Sequence, residues 1–259
     1  MITPKSYLPV CFLVVFVLLS FSTVSLSLDE HIVGLWLFDK GSGNTAFDSS
    51  NYGNDGKIKG GAEWVDGKFK KALSFNGKDA YVEVPDSDSL EIEEEITIEF
   101  WFFPRSVPGE LDILRKHQPN GDTYNYEIYV NADSTISPNL QNIIDPFSTA
   151  KIGEKDVPFN KWTHIAFTYN GKKVVFYIDG NSAFEEAVTG KIPTSDGSLY
   201  IGCRDSTRRF IDGILDELCL SNIARTADEI KAHISKGVTG AAGVEKAGKL
   251  SVIWAELKE

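Results

Sequence analysis

The 259-residue chain is 42% hydrophobic and 24% charged, enough for one substantial core, and all-β sandwiches reach roughly 200–250 residues as a single domain. Its formal charge is −11, which argues against nucleic acid and anionic membrane surfaces, where lysine and arginine must neutralise phosphate. An acidic composition suits a soluble extracellular protein and the oxygen-rich loops that bind calcium.

Lys5 precedes an apolar run from Val10 to Leu19, followed by small residues through Ser27. A lone positive charge, a short apolar stretch and Ser25 with Ser27 predict a secretory signal peptide over 1–27, and hence a secreted protein. The run is shorter than the roughly 18–20 apolar residues of a spanning helix, so no membrane span is expected after cleavage. An uncleaved N-terminal anchor is the alternative. Beyond the leader two cysteines remain, Cys203 and Cys219, and an oxidising compartment permits one disulfide between them. Two separate buried thiols are the other reading.

From Ile32 onward, short apolar runs alternate with Gly/Asn/Asp turns. Strands are predicted over Ile32–Phe38, Ala72–Phe75, Tyr81–Val84, Ile96–Phe103 and Tyr126–Val130, and again over Trp162–Tyr169, Lys173–Ile178, Leu199–Cys203 and Ile214–Leu220. The breaks at Tyr52–Gly56, Asn76-Gly77 and Asn170-Gly171 separate them. No strand–helix alternation supports a parallel sheet.

Asn170-Gly171 is a strong signal for a two-residue hairpin turn. With those two as the loop, Phe167 faces Val174 and Ile165 faces Phe176, giving a core face. The other face carries His164 opposite Tyr177. In Ile96–Phe103, Ile96, Ile98, Phe100 and Phe102 fall on one side, and Thr97, Glu99, Trp101 and Phe103 on the other.

One short helix follows late in the chain. Thr226 caps Ala227–Ile234, with Glu229 placed to complete a capping box and Gly237 as the stop. Residues 238–259 read as a Gly/Ala-rich linker and a terminal tail around Trp254.

The ordered segments Gly34-Leu-Trp-Leu-Phe-Asp39, Ala72-Leu-Ser-Phe-Asn-Gly77, Ile96-Thr-Ile-Glu-Phe-Trp101, Trp162-Thr-His-Ile-Ala-Phe-Thr-Tyr169 and Gly213-Ile-Leu-Asp-Glu-Leu218 carry a resemblance. The chain resembles the laminin G-like domains of the concanavalin A-like lectin/glucanase superfamily over about Ile32 to Gly237, within a domain spanning 28–237. The resemblance implies an all-β fold, a jelly-roll sandwich of two antiparallel sheets. It leaves activity open, because such domains include carbohydrate binders, adhesion and structural modules, and some glycosidases.

Similar domains often hold a structural calcium near the sandwich rim. Calcium takes six to eight oxygens, so Asp39, Asp216 and the carbonyls of the Asn76-Gly77 turn are candidates, with Asp48 and Asp79 behind them. In strand periodicity Asp216 shares a face with Ile214, Leu218 and Leu220, where a carboxylate needs a partner or a metal. These aspartates could equally cap turns.

For ligand binding, Trp101, His164 and Tyr177 form a mixed face if their strands share a sheet, left open or covered by the loop Val107–Thr123. The basic segment Arg204–Phe210 is a further candidate contact. Glycosidase chemistry needs two carboxylates meeting across the scissile bond. Neither Glu91–Glu95 nor Asp216-Glu217 alternates in that way, so no catalytic residue is assigned and a non-enzyme is expected. The leading expectation is a non-catalytic module that binds carbohydrate or a glycosylated extracellular partner, stabilised by calcium. A structural or adhesive module contacting another protein, with the tail around Trp254 as a candidate contact, is the second reading.

Overall fold

The computed structural model describes residues 28–118, 123–143 and 157–241. The predicted leader and the Trp254 tail lie outside the described residues.

The described residues include fifteen strands, a 3-10 turn at Asp88–Leu90 and one longer helix. The strands and the longer helix are β1 (Ile32–Trp36), β2 (Thr45–Ala46), β3 (Gly56–Lys59), β4 (Glu63–Asp66), β5 (Lys71–Asn76), β6 (Tyr81–Val84), β7 (Ile96–Ser106) and β8 (Leu111–His117). The remainder are β9 (Tyr124–Val130), β10 (Ile136–Leu140), β11 (Thr163–Tyr169), β12 (Lys173–Ile178), β13 (Asn181–Ala187), β14 (Leu199–Ile201), β15 (Asp212–Ser221) and α1 (Ala227–Lys236). Among the described residues, no helix is long and apolar enough to cross a membrane.

The strands form two antiparallel sheets, as a jelly-roll sandwich requires. The eight-stranded sheet runs β13-β12-β11-β7-β15-β5-β4, with β1 also on β15; the seven-stranded sheet runs β10-β9-β8-β14-β6-β3-β2. Their inner faces enclose one core. Ile98, Phe100, Phe102, Ile165, Phe167 and Phe176 contribute from one side, and Val82, Tyr126, Ile128 and Ile201 from the other. Strict alternation in β7 places Glu99 and Trp101 on the outward face, as the sequence predicts.

The hairpin β11–β12 keeps the predicted faces but not the predicted register. Phe167 pairs with Phe176 and Ile165 with Ile178, so the two-residue loop is Gly171-Lys172. Asn170 Oδ1 accepts from the backbone N–H groups of Lys172 and Lys173 (3.1 and 2.8 Å), pulling Asn170 back into the hairpin's flank. Gly171 then supplies the positive φ (78°) that a type II′ turn needs at its first position. The slip changes pairing by two residues and therefore leaves every side chain on its original face.

In β15 the expected alternation fails. A bulge between Asp216 and Cys219, with Glu217 at φ 51°, inserts one extra residue opposite β7. Leu218 and Leu220 therefore join the core with Leu215, while Asp216 points outward. The predicted loop Val107–Thr123 contains a strand, β8, whose Asp112 and Arg115 hide its apolar rhythm.

Helix α1 begins as expected. Thr226 Oγ1 accepts from Glu229 N–H (3.3 Å), and Glu229 Oε2 accepts from Thr226 N–H (2.7 Å). The helix packs Ile230 against Ala166, Val175 and Tyr177 on the outward side of the eight-stranded sheet.

Candidate functional site

The outward face of the eight-stranded sheet, predicted to present a ligand platform, is covered. Trp101, His164 and Tyr177 are 5%, 3% and 9% exposed. Helix α1 lies over Tyr177, and Lys68 Nζ sits 4.0 Å over the Trp101 ring while Phe69 meets its edge. His164 stacks edge-on against Trp101, centroids 5.2 Å apart, and burial drives its pKa down to about 4. These three residues are brought together as a packed layer, with no open surface between them.

Beneath α1 lies an ionic cluster. His233 Nδ1 is 2.8 Å from Glu99 Oε1, and His164 Nε2 is 3.6 Å from Glu99 Oε2. Burial opposes the Glu99 charge, but His233, His164 and Arg225 outweigh it and hold the carboxylate below its ordinary range. The cluster docks the helix.

The calcium candidates do not meet. Asp39 pairs with Lys70 Nζ (2.6 Å), near the β5 end that holds Lys71. Asp216 accepts from Phe69 N–H (2.9 Å) at the same end, and burial pushes its carboxyl up to about 7. Asn76 and Gly77 sit at the other end of β5, roughly 17 Å away at strand rise. There Asn76 Oδ1 accepts from the N–H groups of Lys78, Asp79 and Ala80. One calcium cannot bridge that span, and an ammonium already occupies Asp39, so this donor set does not fit the ion. Asp48 and Asp79 also close turns: Asp48 accepts from Leu35, Ser50 and Asn54, and Asp79 from Gly61 and Asn76. Among the described residues no group of three or more His, Cys, Asp or Glu could hold a metal ion.

Cys203 and Cys219 are both free and buried, so the expected disulfide is absent. Cys219 packs with Leu35 and Val238 on the outward face of the eight-stranded sheet, whereas Cys203 lies near Asp112 and Glu83 of the seven-stranded one. Opposite sheets separate them. Burial raises both thiol pKa values, which makes each a poor nucleophile.

The outward side of the seven-stranded sheet carries a buried polar network beside a partly exposed strip of rings. Period-2 alternation in β9 turns Asn125, Glu127 and Tyr129 outward while Tyr126, Ile128 and Val130 enter the core. Glu127 accepts from Arg115 Nη1 of β8 and from Asn139 Nδ2 of β10 (2.7 Å for the latter). Arg115 also donates to Thr123 O (3.0 Å) and lies 4.9 Å from the Tyr124 ring. Beside this network runs an aromatic strip. Tyr81 lies 6.2 Å from Tyr200 and 6.1 Å from Phe210, and His117 lies 6.1 Å from Tyr200. All four rings are partly exposed.

Within the same face Asp112 is 0% exposed, and neither of its oxygens has a hydrogen-bond partner. Burial first, and the Glu127 carboxylate second, push its carboxyl up to about 7; Arg115, Arg209 and Arg204 offset this only in part. Asp112 and Glu127 are thus a carboxylate pair that sequence reading missed, because they lie on different strands. The signal available was the alternation of β9 together with the candidate segment Arg204–Phe210, whose Phe210 completes the strip.

A two-layer antiparallel jelly roll with an aromatic, hydrogen-bonding sheet face defines a lectin-like sandwich domain. The chain belongs to the concanavalin A-like lectin/glucanases superfamily: a laminin G family model matches residues 76–231. Curated protein sequences give no match. Among solved structures it is similar to the binding domain of Paraclostridial Mosquitocidal Protein 1, with 18% identity, a TM-score of 0.62, and coverage of 79% of this chain and 52% of that one. It is also similar to domain 4 of AbnA, an extracellular arabinanase from Geobacillus stearothermophilus solved with arabinotriose (19% identity, TM-score 0.58, 77% and 96% covered). A third is the receptor binding domain of a botulinum neurotoxin mosaic serotype (14% identity, TM-score 0.63, 79% and 51% covered). The chain spans about half the length of the two toxin domains. At these identities the likeness shows the fold alone.

Proposed function

We propose that the protein is a secreted, non-catalytic carbohydrate-binding module whose ligand lies on the outward face of the seven-stranded sheet. The observation that carries this reading is the partly exposed strip of Tyr81, Tyr200, Phe210 and His117 beside the Arg115–Glu127–Asn139 network. Aromatic rings offer flat apolar surface to the C–H face of a sugar. The adjacent Arg115–Glu127–Asn139 network is buried and satisfied within the sheet, so it holds the strands that carry the rings in place rather than meeting a ligand itself. Two of the similar structures, a toxin binding domain and an arabinanase domain in complex with arabinotriose, support a binding role.

A non-catalytic reading fits the carboxylates better than hydrolysis does. Glycoside cleavage needs both acids to reach the scissile bond and a water. Here Asp112 and Glu127 are 0% and 3% exposed, and both Glu127 oxygens already accept hydrogen bonds.

The test is a glycan array probed with dimerised protein, in parallel with Tyr200→Ala. Binding to a defined glycan class, weakened about tenfold by the loss of the ring, is expected. An empty array, or binding indifferent to Tyr200→Ala and Tyr81→Ala alike, would overturn the assignment of this face.

A further inference from the structure

We propose a second sugar site, independent of the sheet face: a rim cleft between Tyr52 and Asp55 on one side and Pro85, Asp86 and Ser87 on the other, selective for neutral or amino sugars over acidic ones. The cleft is open to solvent and holds about 190 Å³, below the roughly 300–1,000 Å³ of drug-sized sites and so suited to a single sugar ring. Strands β3 and β6 pair antiparallel, with Lys57 opposite Glu83, so the start of β3 and the end of β6 meet at the same rim. The cleft is the gap between the two connections that leave there. It lies beyond the end of β6 opposite to Tyr81, apart from the strip where Tyr81 meets Phe210.

Its walls are rigid before any ligand arrives. Asp48 accepts four hydrogen bonds within this loop and from β1: from Leu35 N–H, Ser50 N–H, Ser50 Oγ and Asn54 N–H, all between 2.6 and 2.8 Å. Asn54 is tied to Val33 O and Ser89 Oγ (2.7 and 2.8 Å), and its carbonyl accepts from Trp36 Nε1 (2.9 Å). Lys116, fully buried, holds Asp86 at 2.5 Å. Little ordering entropy remains to be lost on binding.

The lining chemistry selects the ligand. Tyr52 is 45% exposed, one of only two large hydrophobic side chains so displayed among the described residues. Its hydroxyl donates to Glu30 O (2.8 Å), which fixes the ring while leaving it uncovered. The Asp55 carboxylate accepts from Asp48 N–H through Oδ1, and Asp86 engages Lys116 through Oδ1. Each keeps its second oxygen for a hydroxyl or ammonium donor. A bare metal ion has no use for the Tyr52 and Pro85 surfaces, whereas a pyranose has both an apolar face and hydroxyl donors. Lys116 balances the charge of Asp86, which leaves the Asp55 carboxylate at the mouth to disfavour uronic and sialic acids.

The experiment is a ¹H–¹⁵N titration of the whole protein with methyl α-mannoside, glucosamine and glucuronate. Shifts at the Gly53, Asp55 and Ser87 amides are expected with the first two and absent with glucuronate. Tyr52→Ala should weaken them about tenfold, Tyr52→Phe should retain them, and Tyr200→Ala should leave them unchanged. The Phe variant keeps the ring without the Glu30 hydrogen bond, so it separates lost stacking from a displaced loop. No shift at these amides, equal shifts with glucuronate, or indifference to Tyr52→Ala would each overturn the rim site. Shifts confined to Tyr81, Tyr200 and Phe210 would reject it while supporting the sheet-face reading.

Discussion

Replacing Asp112 by asparagine should stabilise the protein at neutral pH and leave it nearly unchanged in mild acid. The carboxyl is fully buried, its oxygens lack hydrogen-bond partners, and its pKa rises from the ordinary 3.8 to about 7. A group with a raised folded pKa binds its proton more tightly when folded. Its contribution is therefore intact below about pH 4 and is lost progressively as pH climbs to about 7. The rise from 3.8 to about 7, at about 1.36 kcal/mol per pH unit, sets a ceiling of about 4 kcal/mol on the cost of ionising it. Arg209 Nη1, 3.8 Å from Oδ2, loses a charge partner in the variant, and the new amide must itself be buried. Those opposing effects leave a net gain of about 1–2 kcal/mol.

Urea unfolding of both proteins at about pH 4.5 and about pH 7.5 measures it. The variant should exceed wild type only at the higher pH. Asp216, which titrates in the same window, cancels because it is common to both proteins. A variant less stable than wild type at about pH 7.5 would refute the reasoning, since it would mean that an ionised Asp112 gains more from Arg209 and Arg115 than burial costs it.

Four further outcomes follow from the same structure. Thr226→Ala removes one half of the capping box and should cost about 1 kcal/mol in denaturant unfolding. His233→Ala leaves Glu99 buried with only His164 and the Arg225 charge to offset it; the loss should be about 3 kcal/mol near pH 6 and shrink in alkali. The sign follows from the raised His233 pKa, whose stabilisation is present below about 6.5 and fades as pH rises through the folded value. Cys203 and Cys219 should react with a thiol reagent only after unfolding, and a Tm that drops with reductant would show a disulfide instead. A calcium chelator should leave Tm unchanged; a lowered Tm would reveal an ion held by residues other than Asp39, Asn76, Gly77 and Asp216.

All nine strands legible in the sequence are present, because aromatic and β-branched runs bounded by Gly/Asn turns encode a half-buried pleat. Those missed share a different physics. β10 carries Pro138, which is tolerated because the strand lies at a sheet edge. β13 is an exposed, polar edge, and β8 interrupts its apolar residues with Asp112, Arg115 and Lys116. The site was harder to read. Which outward face stays open depends on where α1 lands, and the pairing of Glu127 with Arg115 depends on register between strands; neither is a local property.

The landing of α1 is set by β7. Thr97 Oγ1 donates to Ile223 O (2.7 Å) and accepts from Arg225 N–H (2.8 Å), steering the chain that leaves β15 back over the eight-stranded sheet. Arg225 then reaches Asp29 and Glu229 (2.5 and 3.2 Å), joining the start of the described chain to the helix. Two residues further along β7, Glu99 receives His233. The polar residues that interrupt the hydrophobic rhythm of β7 are thus anchors for the helix, and a carboxylate in mid-strand there signals a covered face. In the seven-stranded sheet the outward carboxylate Glu127 is satisfied from within the sheet, by Arg115 and Asn139 on neighbouring strands. Because that network needs no helix to complete it, the rings beside it keep partial exposure, and this asymmetry is why binding is assigned to the smaller sheet.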